Sequence, residues 1–564
     1  MTQHDRGRAT VAAMNPHRPS FSFTATTRAA AAALVLCALP AQETTASTNA
    51  YTTSAQLDVL GPAQWRAQFG PTNLGSLLAS ESAQQIWNGY VGPMQGMVQR
   101  MLGMEDRAFA EARARLLDYG GQITIAFEFD GKDEGMRIVF GPDGRTDLPL
   151  LLKDLETLAS RLSGAEWTAA SEGAAPTLQT DPISWCSKPA ITGSGPSDWT
   201  ASFAISRDTG LAQAQKDASA LATTLAPQHS SKKAPPPLSF RFDLARMIAA
   251  EGMAGGDAES TQMFGANSLR DLAITVGTAG PNALLESSMS FSGNDRGLFS
   301  VIFPDVQGLP AIAALRPAAT TLWKTGRCDF AAIDALIRSS NEAAGMSQEA
   351  LDRNLPPTVF GKDEGVLAHL GNEYAVFGTP GSIEELDDGN FDIGIAIRLR
   401  DHAAFAEKWK RARKDLGFTE LESETVDGFV VQRLGGLVPV TAAYGPDVLV
   451  IGYGKNVREQ IDAVLAKAKD GNWTNAEVAL PQGLQRNAPN GCNGMAEGRV
   501  ALILGQVVAL SSMVMGMTGG VDLPFDPEQF DPEAAEALLK QHNLDVARSL
   551  TGYRDGKWTM RVFW

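Results

Sequence analysis

Two periodicities of apolar residues recur along the chain and predict a mixture of strands and helices. Apolar and polar side chains alternate in short runs such as Gln122–Phe129 and Leu238–Leu244, which predicts half-buried strands. In longer runs apolar side chains recur every three or four residues, which predicts amphipathic helices over Leu148–Leu162, His402–Leu416 and Val457–Ala468. The predicted fold class is therefore α+β.

Short turns between predicted strands favour an antiparallel sheet. Asp271–Val276 and Leu284–Phe291 are joined through Gly-Pro-Asn, and Asp545–Leu550 and Lys557–Phe563 through Tyr-Arg-Asp-Gly. Parallel strands would instead need a long crossover between them. We therefore expect mainly antiparallel sheets with the amphipathic helices packed on their faces.

The chain also resembles itself, because four blocks occur twice in the same order. The first block runs from Leu60 to Leu78 and is matched by Leu315 to Leu336; each is predicted to form a Pro-led turn, a short strand and a capped helix. The order of blocks predicts two tandem related modules. Their expected bounds are residues 57–303 and 309–564.

Each of the other three blocks begins with a strand that leads into a helix. The matched strands are Gln122–Phe129 with Phe391–Arg398, Asp198–Ile205 with Asp447–Tyr453, and Leu238–Leu244 with Arg499–Leu504. In the third block the helices are Leu211–Leu221 and Val457–Ala468. Near the start of the two modules, Trp65 and Trp323 occupy nearly corresponding places, so both are predicted to anchor a core.

Residues 1–41 have the features of a signal peptide with a polar segment before it. A basic stretch precedes an apolar run over residues 29–39, which is too short to span ~30 Å of hydrocarbon as a helix. Cleavage is expected after Ala41, which makes the mature chain periplasmic or extracellular. Cys37 lies in the outline of a lipidation motif, but Leu36 is larger than the residue that usually precedes a lipidated cysteine.

Composition and charge narrow the class of partner. The chain has 564 residues, of which 44% are apolar and 20% charged, as in a folded protein with more than one core. Its formal net charge is −16, and removal of the basic leader makes the remainder more acidic. Such a chain repels phosphate backbones and anionic lipid surfaces, so no nucleic-acid partner is expected.

An apolar stretch over residues 500–517 is long enough to span a membrane. Gln506, Ser511 and Ser512 interrupt it, and its counterpart in the first module, residues 239–250, alternates like a strand and carries charge. We interpret the stretch as a buried strand followed by a buried helix. No transmembrane span is expected in the mature chain.

The sequence lacks the common motifs of catalysis and metal binding. It contains no His-Glu-x-x-His, no Gly-x-Ser-x-Gly and no complete phosphate loop. Gly452–Lys455 is interpreted as a strand end that turns into a helix. Acidic clusters at residues 384–388 and 526–533 lack the spacing of a calcium loop. No cofactor is predicted, although two carboxylates assembled in space remain possible for a glycoside hydrolase.

Three cysteines remain after the predicted cleavage, namely Cys186, Cys328 and Cys492. An odd number allows at most one disulfide within a chain, and their wide spacing matches no zinc motif. They are interpreted as structural rather than catalytic.

Methionine is the one residue type whose placement suggests a ligand. Thioethers are soft ligands that suit Cu(I), and they also adapt to varied apolar partners. Packing in a core or between modules is the plainer interpretation, and a groove for a lipid or peptide is an intermediate one. The candidate ligand-binding residues, for an apolar groove or a soft metal, are Met94, Met97, Met101, Met104, Met513, Met515 and Met517.

Two stretches resemble a family of exported bacterial proteins of unknown function with duplicated α+β modules. They are Pro317-Ala-Ala with the strand and helix that follow, and Val448–Leu465. The resemblance covers the second module and fragments of the first. Its motifs are hydrophobic patterns, so it implies a fold and an exported location but no catalytic residue.

These observations predict a periplasmic or envelope protein that acts by non-catalytic binding or as a scaffold. The expected partner is an apolar small molecule, a peptide or an envelope protein. Two alternatives stay open: a secreted hydrolase with a spatially assembled acidic site, and a Met-rich copper-handling protein.

Overall fold

A computed structural model describes much of the chain from residue 54 onward, and the predicted signal peptide lies outside the described part. The described ranges are 54–84, 105–129, 134–145, 147–163, 166–168, 177–180, 184–206, 236–246, 268–293, 296–318, 320–343, 356–360, 365–379, 392–436, 439–480, 482–501 and 532–564, with residues 99, 265 and 347.

The strands of the described ranges belong to one sheet, and all their pairings are antiparallel. In the first half of the chain they are β1 (Ala55–Leu60), β2 (Gln122–Phe129), β3 (Glu134–Phe140), β4 (Thr177–Thr180), β5 (Ser184–Ser187), β6 (Ala190–Thr192), β7 (Thr200–Ser206), β8 (Leu238–Asp243), β9 (Leu269–Ala279) and β10 (Asn282–Phe291). In the second half they are β11 (Leu322–Arg327), β12 (Leu370–Thr379), β13 (Asp392–Leu399), β14 (Thr419–Val426), β15 (Phe429–Gly435), β16 (Val440–Tyr444), β17 (Val448–Tyr453), β18 (Cys492–Arg499), β19 (Val546–Arg554) and β20 (Lys557–Phe563).

Helices of varied length connect and cover these strands. Those with described bounds are α1 (Pro62–Phe69), α2 (Asn73–Ala79), α3 (Asp106–Leu117), α4 (Leu148–Ser163), α5 (Leu298–Ile302), α6 (Phe330–Ala343), α7 (Pro357–Phe360), α8 (His402–Asp415), α9 (Val457–Ala468) and α10 (Pro532–Gln541). Short 3-10 segments occur at Ala311–Leu315, Val366–His369, Asn472–Asn475 and Gln485–Asn487. The predicted α+β class and antiparallel sheet are confirmed.

Neighbouring strands follow the same order in the two halves of the sheet. In the first half the order is β7–β3–β2–β1–β8–β9–β10. In the second half it is β17–β13–β12–β11–β18–β19–β20. The last strands of the two halves, β10 and β20, pair with each other, so the sheet is continuous across the chain.

Helices cover both faces of the sheet in the second half. On one face, α9 packs through Ile461 against Ala396 and Val450. On the opposite face, α8 packs through Phe405 against Ile397. We call these the α9 face and the α8 face. In the first half, α4 packs against Phe140 of β3. The strand pairing can be followed across the whole sheet, and it places the Phe140 side chain on the same side as the α8 face. Helix α4 therefore lies on the α8 face.

Two hairpins, β9–β10 and β19–β20, and several helices were predicted well. The turn between β19 and β20 is Asp555-Gly556, with φ of 51° and 76°, the mirror-image turn that suits the twist of a hairpin. Helix α9 has the predicted bounds, and α4 and α8 end within one residue of them.

The sequence prediction was wrong at three places along the chain. Helix α4 follows β3, not Gln122–Phe129 directly, because a β2–β3 hairpin intervenes. The strand predicted at Arg499–Leu504 ends at Arg499, and residues 500–501 are already helical. In the first block, β1 precedes the predicted turn, and the residues after Gly61 form α1 where a strand was expected. Pro62 at the start of this helix explains the difference, since proline favours the first helical position.

Trp323 is fully buried in β11, as predicted for a core anchor. Trp65 instead lies on α1, is half-buried and stacks on Phe69 with ring centroids 5.0 Å apart. The two tryptophans therefore do not hold corresponding places.

Among the described helices, none is both long enough and apolar enough to cross a membrane. The predicted helix over residues 211–221 and most of the apolar stretch over residues 500–517 lie outside the described ranges.

Candidate functional site

The methionine site predicted from the sequence lies outside the described residues. This applies to all seven candidates, Met94, Met97, Met101, Met104, Met513, Met515 and Met517. The copper and groove interpretations of these side chains stay predictions. Within the described ranges, no group of three or more His, Cys, Asp or Glu side chains is placed to hold a metal ion.

The three predicted structural cysteines lie in separate places. Cys186 is in β5, Cys328 follows β11 and Cys492 begins β18, and all three are free thiols. Burial raises the pKa of each thiol to about 11. Because the thiolate is the reactive form, these side chains are poorly suited to nucleophilic chemistry near neutral pH.

Two glutamates on the α9 face, the buried Glu373 and the half-buried Glu497, are each held by a pair of arginines. The Glu373 carboxylate lies 2.9 Å from Arg327 Nη1 and 3.6 Å from Arg398 Nη1, and its other oxygen accepts a hydrogen bond from the backbone of Ile312. This contact fixes the segment Ala311–Leu315 across the face. A carboxylate bound in this way is a structural group, because its lone pairs are already engaged.

Glu497 makes the second such cluster. Its oxygens lie 2.6 Å from Arg316 Nη2 and 2.9 Å from Arg548 Nε. Burial alone would raise the pKa of Glu497, but hydrogen bonds from both arginines outweigh burial and hold the pKa below its ordinary value. Glu497 is thus an ionised partner rather than a proton donor at neutral pH.

Asp58 is a densely hydrogen-bonded carboxylate among the described residues of the first half. It accepts hydrogen bonds from Thr124 Oγ1 at 2.6 Å, from Gln122 Nε2 at 2.9 Å and from Gln56 Nε2 at 2.9 Å. Burial nevertheless raises its pKa above the ordinary value of 3.8, although these bonds and the charge of Arg241 oppose the rise. One raised acid without a described second carboxylate beside it does not form a glycosidase pair.

A serine and a histidine from opposite ends of the chain are in contact. Ser76 Oγ on α2 lies 3.0 Å from Nδ1 of His542, which follows α10. The other ring nitrogen of His542, Nε2, is buried without a hydrogen-bond partner among the described residues. A nucleophile and base usually need a third group on that second nitrogen to orient the ring.

An apolar surface lies on the α8 face of the central described strands of the first half and of β20 beside them. Side chains from six neighbouring strands, β2, β1, β8, β9, β10 and β20, form two rows across the sheet. The rows are Phe127–Ala55–Phe242–Leu272–Met289–Trp558 and Ile125–Leu57–Phe240–Ile274–Ser287–Met560. We call these twelve side chains the central apolar face.

The central apolar face is half-buried and carries no charge. Ala55 is buried, and each of the other eleven residues is half-buried. At its β20 end, the ring of Phe303 stacks on Trp558 with centroids 4.9 Å apart, which bounds the face beside α5. The part of this uncharged surface that stays accessible is a candidate contact for an apolar partner.

An open pocket of about 680 Å³ lies on the α9 face beside β14 and the start of α9. Four of its charged side chains pair within the chain, Arg458 with Glu424 at 2.7 Å and Arg433 with Glu422 at 3.9 Å. The stretch Gly452–Lys455 borders this pocket between the end of β17 and the start of α9, so the predicted strand end that turns into a helix is confirmed.

Comparison with known proteins gives little more. No family model and no curated protein matches this chain. The chain is weakly similar to crystal form IV of TP0453, with 10% identity, a TM-score of 0.21 and coverage of 42% of this chain and 76% of that chain. Crystal form I of TP0453 gives 12% identity, a TM-score of 0.21 and coverage of 43% and 76%. A likeness at this level carries no argument about function.

Sequence reasoning found five of the six strands that carry the central apolar face, all except β1, but not the face itself. Alternation in Leu238–Asp243 predicted one apolar side for β8. Which strands lie beside it depends on long-range pairing, such as that of β8 with β1, which periodicity does not reveal.

Proposed function

We propose that this chain is a non-catalytic binding protein of the bacterial envelope that holds an apolar small molecule against the central apolar face. The observation that carries the proposal is the pair of uncharged, half-buried rows across six strands. Residues 1–41 support an exported location, as argued from the sequence. The engaged carboxylates and the poorly ionised thiols favour binding over catalysis.

The shape of the face suits a ligand with an extended apolar chain. Neighbouring strands lie about 4.8 Å apart, so six strands present a row of roughly 24 Å. Aromatic and unbranched side chains such as Phe240, Met289 and Met560 adapt to such a chain without needing a fixed polar contact. Each buried methylene contributes about 0.8 kcal/mol, which is enough for affinity without charge.

Paired methionine substitutions test the face. Met289→Gln/Met560→Gln keeps side-chain length but places two amides on the central apolar face. The matched control is Met495→Gln, since Met495 lies on the α9 face of the same sheet, beside Leu550. We expect the double variant to bind a fluorescent fatty-acid analogue on the order of tenfold more weakly, and the control to bind like the wild type.

Equal affinity of the double variant, the control and the wild type would contradict the proposed site. Native mass spectrometry of the protein purified from its host then identifies the cargo. A mass that falls on mild denaturation by that of a lipid or other apolar compound supports the carrier function. A bare mass instead directs the search to protein partners.

We also infer that the two halves are copies of one ancestral module, over residues 57–303 and 309–564. The shared strand order supports this inference, as does the position of β10 and β20 as the second strands of equivalent hairpins. If the bounds are right, limited proteolysis within residues 304–308 yields two fragments that stay associated through the β10–β20 pairing.

A hydrolase is the second candidate, because Ser76 and His542 are within hydrogen-bond distance. A fluorophosphonate probe that labels the wild type but not Ser76→Ala would support it. Absence of labelling under conditions that label a known serine hydrolase removes this candidate.

A further inference from the structure

The joint between the two halves is symmetric about one pair of residues. The hairpin that ends in β10 closes at the pair Ala279–Asn282, and the hairpin that ends in β20 closes at Arg554–Lys557. Counting from the first residue of its own strand, Glu286 in β10 is at the same position as Arg561 in β20. These two residues are also direct partners across the joint.

The pairing is symmetric on both sides of this central pair. Leu284 lies opposite Phe563 and Ser288 lies opposite Thr559. Counted from the first residue of each strand, Leu284 and Thr559 have the same number, and so do Ser288 and Phe563. A pseudo-two-fold axis therefore passes between Glu286 and Arg561.

Opposite charges meet at this axis in a buried place. Arg561 Nε lies 2.7 Å from Glu286 Oε2, and the exposed fractions of the two side chains are 15% and 5%. Arg561 also donates to the backbone carbonyls of Asn487 and Ala488, which lie across the α9 face. The pair is thus held in a fixed geometry with little screening by solvent.

We propose that the Glu286–Arg561 pair makes the joint selective, so that β10 pairs with β20 and not with the same strand of a second copy of this chain. This inference rests on one part of the proposed duplication, namely that β10 and β20 are equivalent strands of the two halves.

The selectivity follows from the symmetry. If two copies of β10 paired with the register seen in the joint, two Glu286 carboxylates would meet at the axis. Two copies of β20 would bring two Arg561 guanidinium groups together. Buried like charges strongly disfavour an interface. The other positions across the joint carry uncharged side chains such as Leu284 and Thr559, except Lys557 at its edge, which lies opposite Ser290 and would not meet a second Lys557 in a pairing of two β20 strands. The central pair is therefore the element that discriminates.

Refolding of the full chain tests this role without any ligand, so its result is independent of the proposed binding function. The neutral variant Glu286→Gln/Arg561→Gln removes the like-charge repulsion from both alternative pairings. We expect its dimer fraction after refolding, measured by light scattering, to exceed that of the wild type on the order of tenfold. The matched control, Glu497→Gln/Arg548→Gln, removes a cross-strand ion pair within one half and is expected to stay monomeric.

No more dimer from the neutral variant than from the control overturns the proposal. If the neutral variant fails to refold, charge reversal decides. Equimolar Glu286→Arg and Arg561→Glu chains, refolded together, then have complementary charges between copies and are expected to form a 1:1 heterodimer that neither chain forms with itself. A mixture that contains only monomers overturns the proposal.

Discussion

Asp58 and Thr325 lie on one continuous row of paired residues across the sheet, and each is on the middle strand of the seven ordered strands in its half. Asp58 in β1 has Thr124 and Ser239 as its neighbours. Thr325 in β11 has Ala375 and Met495 in the same two places. The α9 face is therefore polar at the middle of the first half, whereas in the second half it is mainly apolar and packs against α9.

The raised pKa of Asp58 predicts a pH-dependent stability. Its folded pKa lies above the unfolded value near 3.8, so the folded state binds the proton more tightly. Its contribution to stability is therefore full below pH 3.8 and is lost as the pH rises through the folded pKa. Melting of the wild type and Asp58→Asn from pH 7 to pH 4 checks this sign.

We expect the melting temperature of the wild type, minus that of Asp58→Asn, to increase as the pH falls. The difference cancels the titration of all other groups, which the two proteins share. A constant difference across this range would show that Asp58 has an ordinary pKa.

The Glu373 cluster predicts a large loss of stability on truncation. Glu373→Ala leaves Arg327 and Arg398 near one another without their shared carboxylate, which costs about 3 to 5 kcal/mol of the free energy of unfolding. The control is Glu407→Ala, since Glu407 and its partner Arg411 are largely exposed. Loss of an exposed pair costs about 1 kcal/mol or less. Urea denaturation measures both, and equal losses would contradict a structural role for Glu373.

Trp65 and Trp323 were both predicted to anchor a core, but we expect their substitutions to lower the stability by different amounts. Trp323 is fully buried and its ring stacks on that of Phe377. Trp323→Ala is therefore expected to lower the free energy of unfolding by about 3 to 5 kcal/mol. Trp65 is half-buried on α1, so Trp65→Ala is expected to cost clearly less. Chemical denaturation of the two variants decides, and a larger loss for Trp65 would contradict the burial seen here.

Local patterns predicted helices and hairpins because the signals are contained in a few turns of chain. The helical spacing over Val457–Ala468 and the turn Asp555-Gly556 are examples. The strands β1 and β3 were missed as separate elements, since each is short and its stability comes from neighbours on both sides. The central apolar face could not be predicted, because it depends on pairing between strands far apart in the sequence, such as β1 with β8 and β10 with β20.

The N-terminal sequence predicts where the mature chain begins. The apolar run over residues 29–39 and the small residue Ala41 favour cleavage that leaves Gln42 at the N-terminus. Mass spectrometry of protein from the periplasm checks this start. As a control, Ala41→Arg places a large charge at the cleavage site and is expected to retain the precursor mass in the membrane fraction. A mature chain that begins instead at a lipidated Cys37, or export of a chain that keeps residues 1–41, would contradict the predicted site.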